Sequence, residues 1–292
     1  MPENNAKTQK RKKSQAKEIW RRMRKNKLAM AGLVILIFFT LLAIFANAIA
    51  DYETEALAHG EHRLQPPSSA HWFGTDQHGR DVFARIVHGA RISLTLGISS
   101  TVVSLIIGTF LGAAAGYFGG WLDNMIMRIM DMLMCIPGML LALAIIAALG
   151  TNTRNLLIAI IIASIPGFTR IIRSSILTVI GQEYIEAAKA CGMGDFRIIR
   201  KHVIPNAIGP IIVEATMSVA GMIITTASLS YLGMGIAPPQ PEWGAMLSDA
   251  KDHMRQSPYL IIFPGLSIVL SALSLNLLGD GLRDALDPRL KN

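Results

Sequence analysis

Residues 28–50 read LAMAGLVILIFFTLLAIFANAIA, a run with no charged side chain. As a helix rising 1.5 Å per residue it extends about 34 Å, enough to cross the roughly 30 Å hydrocarbon core of a bilayer. Just before it, residues 1–27 hold 11 Lys or Arg against only Glu3 and Glu18, a net charge of +9. The rest of the chain carries 17 basic and 18 acidic residues, so the overall +8 resides in that leading segment. Basic residues abutting an apolar run mark the cytoplasmic side of a span. They also suit contact with anionic membrane lipid. A basic patch can serve nucleic acid, but this one is explained by the span beside it, so nucleic acid is not expected as a partner. The charged lead and the apolar run are both too long for a cleaved signal peptide, which points to a retained helix.

Working outward, further apolar runs cover residues 92–117, 125–149, 156–173, 208–232 and 258–278. The chain has 292 residues, 51% of them hydrophobic, and a mean hydropathy of +0.41. The expected fold class is therefore an all-α integral membrane protein of about six transmembrane helices. An even number of crossings returns the C-terminus to the side of the N-terminus, so both are expected in the cytoplasm. The expected organisation is a basic N-terminal segment (1–27) followed by a transmembrane domain (28–292). Within it an external loop covers 51–90 and a cytoplasmic loop covers 174–206. Lys189, Arg197, Arg200 and Lys201 outnumber Glu183, Glu186 and Asp195 in the second loop, which agrees with that topology. The loop at 233–257 then falls outside, and the helix over 156–173 has room to continue beyond the membrane. The two cysteines, Cys135 and Cys191, form neither a CxxC nor a disulfide framework.

The cytoplasmic loop contains EYIEAAKACGMGDFRIIRKHVIPNAIGP, residues 183–210. Helix formers around Glu186, Ala187 and Ala188 are broken by Gly192 and Gly194, since glycine takes the left-handed conformation that caps a helix. A second helix over 196–203 is expected to stop at Pro205. Small Ala187 and Ala188 would let another protein approach closely, with Glu186 offering a charge. The plain alternative is an amphipathic surface helix. The external loop contains FGTDQHGRDVFAR, residues 73–85, whose paired Asp and Arg residues on a glycine-punctuated segment suggest a rigid, ion-paired cap.

These stretches carry a resemblance. Glu186, Ala187, Ala188, three residues, Gly192, nine residues and then the stretch His202-Val203-Ile204-Pro205 resemble the E-A-A, Gly, I-x-L-P loop of bacterial ABC-importer permeases. His202 and Ile204 depart from that pattern. Gly74, Thr75, Asp76, Gly79, Arg80, Asp81 and Arg85 resemble the outer signature of the second permease in dipeptide, oligopeptide and nickel importers, with Ala84 in the usual Ser position. AGYFGGWLDNMIMRIMD, YLGMGIAPPQPEWGAMLSDA and NLLGDGLRDALDPRLK are similar to the same family, closest to its dipeptide-type members. The resemblance implies a multi-pass permease of the bacterial plasma (inner) membrane that translocates di- or oligopeptides by alternating access. A nickel chelate or another small solute is the alternative cargo. Implied partners are a homologous second permease, two ABC ATPases that dock on the E-A-A loop, and an extracytoplasmic peptide-binding protein. No cofactor is expected on this chain, because ATP and Mg belong to the ATPases.

Weaker features complete the reading. Gly108, Gly112 and Gly116 would make a flat stripe for helix packing. Arg128 and Asp131 are spaced to pair on one face of a helix, and with Glu214 they are the candidate pathway or bundle polar residues. Met125, Met127, Met130, Met132, Met134 and Met139 offer flexible thioethers for an adaptable surface, although filling a core is their plainer use. His59 and His62 flank Gly60-Glu61, a cluster too short to be specific, so no metal site is expected. No enzyme is expected either. There is no HExxH, GxSxG or phosphate-binding G-x-x-x-x-G-K-[ST]. Gly192-Met193-Gly194-Asp195 spells the GxGD of intramembrane aspartyl proteases, but in a basic loop and without a partner aspartate in a span. A secondary transporter would show deep acidic groups or related halves, and neither is visible.

Overall fold

The computed structural model describes residues 15–57, 60 and 62–286. Among these the secondary structure is helical, with one isolated β-bridge between Thr75 and Asp81. In chain order the helices are α1 (Gln15–Met23), α2 (Lys27–Ile44), α3 (Ala46–Ile49), α4 (Val82–Phe118), α5 (Gly120–Met134), α6 (Gly138–Leu149) and α7 (Thr153–Ile180). Then follow α8 (Glu183–Ala190), α9 (Asp195–Ile198), a π-helical turn (Ile199–Val203), α10 (Ile204–Tyr231), α11 (Trp243–Asp249) and α12 (Tyr259–Leu286). Five continuous helices are long and apolar enough to cross a membrane, and α5 with α6 makes a sixth if that bent pair is one span.

Several boundaries differ from the sequence reading, each for a local reason. The span expected at 125–149 is broken by 84° between α5 and α6. Pro137 stands at the break; it has no amide to donate and pushes Ile136 away from helical geometry. Upstream, Gly119 and Gly120 take φ of +65° and +56° and reverse the chain between α4 and α5. Helix α4 starts at Val82, ten residues before the expected position, because the Asp81 side chain accepts the Ala84 N–H at 2.9 Å and caps it. Residues 82–90 of the expected loop are thus helical. Helix α7 runs past Arg173 to Ile180, as the sequence allowed. The loop at 233–257 holds the buried helix α11, and α12 continues to Leu286, so the charged residues 280–284 are helical.

The largest correction lies at Pro205. Instead of ending a helix, it sits in the first turn of α10, where a missing N–H costs nothing. The π-turn ahead of it absorbs the change in hydrogen bonding, so residues 195–231 form one uninterrupted rod.

Glycine sets the closest helix contact. A Cβ on Gly108 would lie 2.6 Å from Phe168 Cβ; one on Gly112, 2.7 Å from the Thr169 carbonyl; one on Gly116, 3.0 Å from Ile176 Cγ2. The stripe is a seam that lets α4 and α7 meet backbone to backbone. Gly32 does the same for α2 against α12, where an added Cβ would come within 2.7 Å of the Ser274 carbonyl. The opposite surfaces stay apolar and uncovered, as Val34, Phe38 and Leu41 on α2 and Ile106 and Phe110 on α4 illustrate. Such faces require a hydrocarbon solvent or another apolar subunit.

The bundle has two ends. Val82 at the start of α4 and Tyr259 at the start of α12 define one, since the Tyr259 hydroxyl donates to the Thr75 carbonyl at 3.0 Å. Phe118 and Leu286 lie at the other. Helix α1 belongs to that second end, where Met23 is buried near Gly281 and Asn26 contacts Asp284 at 3.4 Å. Residues 62–81 and α11 cap the first end. The α8–α9 elbow occupies the second.

Gly112→Val is expected to lower the unfolding midpoint of the detergent-solubilised protein by an amount equivalent to about 1–3 kcal/mol, the usual cost of overpacking. Gly221→Ala, with open space around it, is expected to leave the midpoint unchanged. Equal midpoints for the two variants would refute the seam.

Candidate functional site

At the capped end the residues 74–85 fold on themselves. Gly74 has φ of +77°, and a Cβ there would strike the Gln65 carbonyl at 2.6 Å and the Tyr259 ring at 2.7 Å. Thr75 is fully buried; its hydroxyl accepts the Gln65 N–H at 2.9 Å and donates to the His62 carbonyl. Asp76 Oδ1 accepts the N–H groups of His78 and Arg80 at 2.8 and 3.0 Å, tightening a turn that passes through Gly79 at φ of +84°. Asp81 Oδ2 meets His71 Nδ1 at 2.8 Å while Oδ1 caps α4.

Each buried guanidinium group meets a carboxylate. Arg80 is only 4% exposed; its Nε donates to Asp76 Oδ2 at 2.5 Å and its Nη2 to Asp249 Oδ2 at 2.9 Å. Arg85 lies 3.6 Å from Asp76 through Nε and donates to the Pro239 carbonyl at 3.2 Å. Two guanidinium groups therefore face two carboxylates, which makes their desolvation tolerable. The pairing also fixes α11. Glu242, fully buried, accepts from Gly244 N and Ala245 N at 3.0 and 2.8 Å and from the Ser93 hydroxyl of α4 at 3.3 Å. Trp243 Nε1 donates to the Ile86 carbonyl at 3.1 Å, and a Cβ on Gly89 would lie 2.7 Å from its ring. All seven residues of the outer motif thus belong to one structure.

At the other end α8 ends as the sequence predicts. Gly192 has φ of +74°, its N–H reaches the Lys189 carbonyl at 2.9 Å, and Met193 N reaches the Ala188 carbonyl at 3.2 Å. That pair of bonds is a Schellman cap. The elbow has two faces. Ile185, Ala188, Ile198 and Val203 are buried in the same core as Ile176 and Val179 of α7. Glu186, Ala187 and Phe196 are exposed, Phe196 to 78%. Ala188 therefore serves the chain's own packing, and only Ala187 of the expected pair faces outward. Lys189 Nζ lies 5.2 Å from the centre of the Tyr117 ring, and the Tyr117 hydroxyl donates to Asp195 Oδ1 at 2.6 Å.

The remaining candidates separate. Asp131 does not pair with Arg128; it accepts from Arg170 of α7 at 2.6 Å, and Arg128 is exposed without an ion pair to the described residues. The break at Pro137 tilts α5 so that its charged face meets α7, where Arg173 also binds both oxygens of Asp123 at 2.6 Å. Glu214 is half-buried on α10 and accepts from Ser218 at 3.3 Å. Of the methionines on α5 and α6 only Met130 is buried, while Met125, Met132, Met134 and Met139 lie exposed, so core filling is not their main role within this chain. Met139 borders an apolar cavity of about 470 Å³ with Ile224, Tyr231, Leu247 and Ile268. His59 and Glu61 lie outside the described residues; among the described residues no three His, Cys, Asp or Glu gather as metal ligands.

Asp249 was not legible in the sequence, since 169 positions separate it from Arg80. Glu242 was more accessible: an acidic residue directly after the Pro-rich stretch 238–241 and just before Trp243 is a helix-start signal. Tyr117 and Phe196 had no signal beyond their aromatic character.

Arg80→Ala is expected to cost about 3 kcal/mol, because it strands a buried carboxylate. Adding Asp76→Asn should recover part of that loss, since an amide oxygen can still accept the two turn amides. Identical unfolding midpoints for the single and double variants would show that the ion pairs do not hold the cap.

Comparison with known proteins agrees with this architecture. The profile described as binding-protein-dependent transport system inner membrane component matches residues 108–292, and that of the N-terminal transmembrane domain of oligopeptide transport permease C matches 14–67. The dipeptide transport system permease protein of Alkalihalophilus pseudofirmus is 48% identical over 276 residues, covering 94% of this chain and 90% of that protein. The glutathione transport system permease protein of Pectobacterium atrosepticum is 45% identical over 276 residues, covering 94% and 92%. In fold, an inward-facing structure of the MetNI methionine ABC transporter aligns with a TM-score of 0.57 at 18% identity, over 70% of this chain and 96% of that one. The chain belongs to the family of binding-protein-dependent transport system inner membrane components, as a multi-pass permease subunit of the inner membrane.

Proposed function

We propose that this permease carries small peptides inward, working with a homologous second permease, two ABC ATPases and an extracytoplasmic peptide-binding protein. The observation that carries the reading is the two-faced elbow. One face is locked into the α7 and α10 core, and the other presents Glu186, Ala187 and Phe196 at the end of the bundle opposite the cap. A surface rigidly tied to spans on one side and free on the other is what a docking ATPase needs to move those spans. ATP-driven closure of the ATPases displaces the elbows and turns the two permeases between outward and inward openings. Hydrolysis belongs to the ATPases, where ATP and Mg bind, so this chain contributes no catalytic residue.

The two named relatives support a peptide cargo, since one is a dipeptide permease and the other a permease for glutathione, itself a tripeptide. Their near-equal identities support the class rather than either member. Charge supports an elbow-side cytoplasm. Arg21, Arg22, Arg24 and Lys25 around α1 and Lys189, Arg197, Arg200 and Lys201 on the elbow gather at one end. On this orientation both termini are cytoplasmic and the cap meets the binding protein. The methionine surface along α5 and α6 (Met125, Met132, Met134 and Met139), with the adjoining cavity, suits the facing permease and the path between them.

Reconstituted with its partners, the parent should take up a labelled dipeptide in an ATP-dependent way; uptake driven by a proton gradient without ATP would overturn the reading. Uptake of a nickel chelate with no dipeptide competition would move the cargo. Glu186→Lys and Gly192→Pro should each lower uptake at least about tenfold with membrane insertion intact, the second because proline cannot adopt a positive φ. Full uptake in both variants would sink the docking role of the elbow. A reporter at position 61 should be external and one at position 292 cytoplasmic; the reverse pattern would invert the topology.

A further inference from the structure

Like the 195–231 rod that begins within the elbow itself, helix α4 reaches from the cap to the elbow. Its 37 residues span about 55 Å at helical rise. Prolines lie inside α7, α10 and α12 (Pro166, Pro210 and Pro264), and α4 has none. Its first turns are clamped by Asp81, by Arg85 and by Trp243 bonded to the Ile86 carbonyl. Its last turn holds Tyr117, one residue before its end. Side-chain bonds at both ends of an unbroken helix make it a rigid link between two surfaces.

We infer that Tyr117 is the positioning residue through which displacement of the elbow is passed to α4 and so to the cap. This rests on the docking role proposed for the elbow. Two contacts from opposite sides of the elbow turn converge on the one side chain. Asp195, at the start of α9, accepts the hydroxyl proton at 2.6 Å, and the Lys189 ammonium, near the end of α8, sits over the ring at 5.2 Å. Gly192 lies between these two partners, at the Schellman cap. Tyr117 thus bridges both arms of the elbow, and a change in the angle at Gly192 pulls on the end of α4. The exposed ion pair Arg170–Asp131 and the Arg173–Asp123 pair join α7 to α5 and do not touch the elbow. Among the described residues, Tyr117 carries the polar contacts from the elbow to α4.

The test uses the full complex in vesicles, comparing the parent with Tyr117→Phe, Asp195→Asn and the double variant. The readouts are ATPase copurification, ATP hydrolysis stimulated by the binding protein, and peptide moved per ATP. Tyr117→Phe is expected to keep copurification and the unfolding midpoint, while stimulation and peptide per ATP fall at least about tenfold, the scale of one lost charge-assisted hydrogen bond. Asp195→Asn should match it to the extent that the carboxylate charge matters, and the double variant should be no worse than Tyr117→Phe. Parent-like stimulation and peptide per ATP in Tyr117→Phe would overturn the inference. So would equal loss of copurification and stability, since that is a structural role. Glu186→Lys in the same vesicles separates the two ideas: if it abolishes uptake while Tyr117→Phe is normal, only the Tyr117 link fails. If both are normal, the docking role fails and the link with it.

Discussion

In hydrocarbon every peptide N–H and C=O must find its partner inside the protein, because each unpaired group costs several kcal/mol and no water is at hand. That constraint accounts for the all-helical bundle and for where its irregular backbone sits. The sharp turn at Gly119–Gly120, the elbow at Gly192 and the coiled segment before Asp81 all lie at helix ends. The break between α5 and α6 is the exception along a span, and it is made by Pro137, which has no amide to satisfy. Serine and threonine hydroxyls within the bundle mostly turn back onto carbonyls four residues earlier, as Ser100, Thr169 and Ser267 do. They bring polarity into the bundle with its hydrogen bonds made locally, whereas the buried hydroxyls of Thr226, Ser230 and Ser271 have no partner among the described residues.

The same constraint shapes the two functional ends. Charged groups are concentrated where water or another protein can reach them, and the few that are buried are matched. Arg80 and Arg85 against Asp76 and Asp249 make a neutral set that joins residues from before α4 to residues after α11. Glu242 spends its charge on the first amides of α11, the favourable end of a helix for an anion. The cap is thus one rigid unit tied to α4, α10 and α12. The elbow is the opposite kind of structure: a short helix and a turn, firmly seated by four aliphatic side chains and otherwise exposed. One end resists deformation, and the other offers a handle.

How far sequence reasoning reached depended on the range of the interaction. Helix caps, turns and glycine seams are local or periodic, and Gly192 and the Gly108–Gly112–Gly116 stripe behave as their spacing predicts, while Asp81 caps a helix expected only ten residues later. Errors came where a local rule met a distant competitor. Arg128 and Asp131 satisfy the three-residue spacing, yet Asp131 goes to Arg170 because the bend at Pro137 turns it toward α7. Pro205 breaks helices in general, but here its place in a first turn, after a π-turn, makes it harmless. Ala188 is as small as Ala187, and only the packing of Ile185 and Ile198 decides that it points inward.

By itself the sequence determined that the chain lives in a bilayer, how many apolar runs it has, which segments lie between them, and which short motifs would fold as caps and turns. These follow from hydropathy over about twenty residues and from the backbone preferences of Gly, Pro and Asp, which act within a turn or two. Only the tertiary structure decided that α11 is buried, that Asp249 completes the ion-paired cap, and that Tyr117 meets both arms of the elbow. Those contacts join residues from 72 to 169 positions apart. They exist because helix packing brings the side chains together, and no pattern along the chain encodes which distant carboxylate or amine will be within reach.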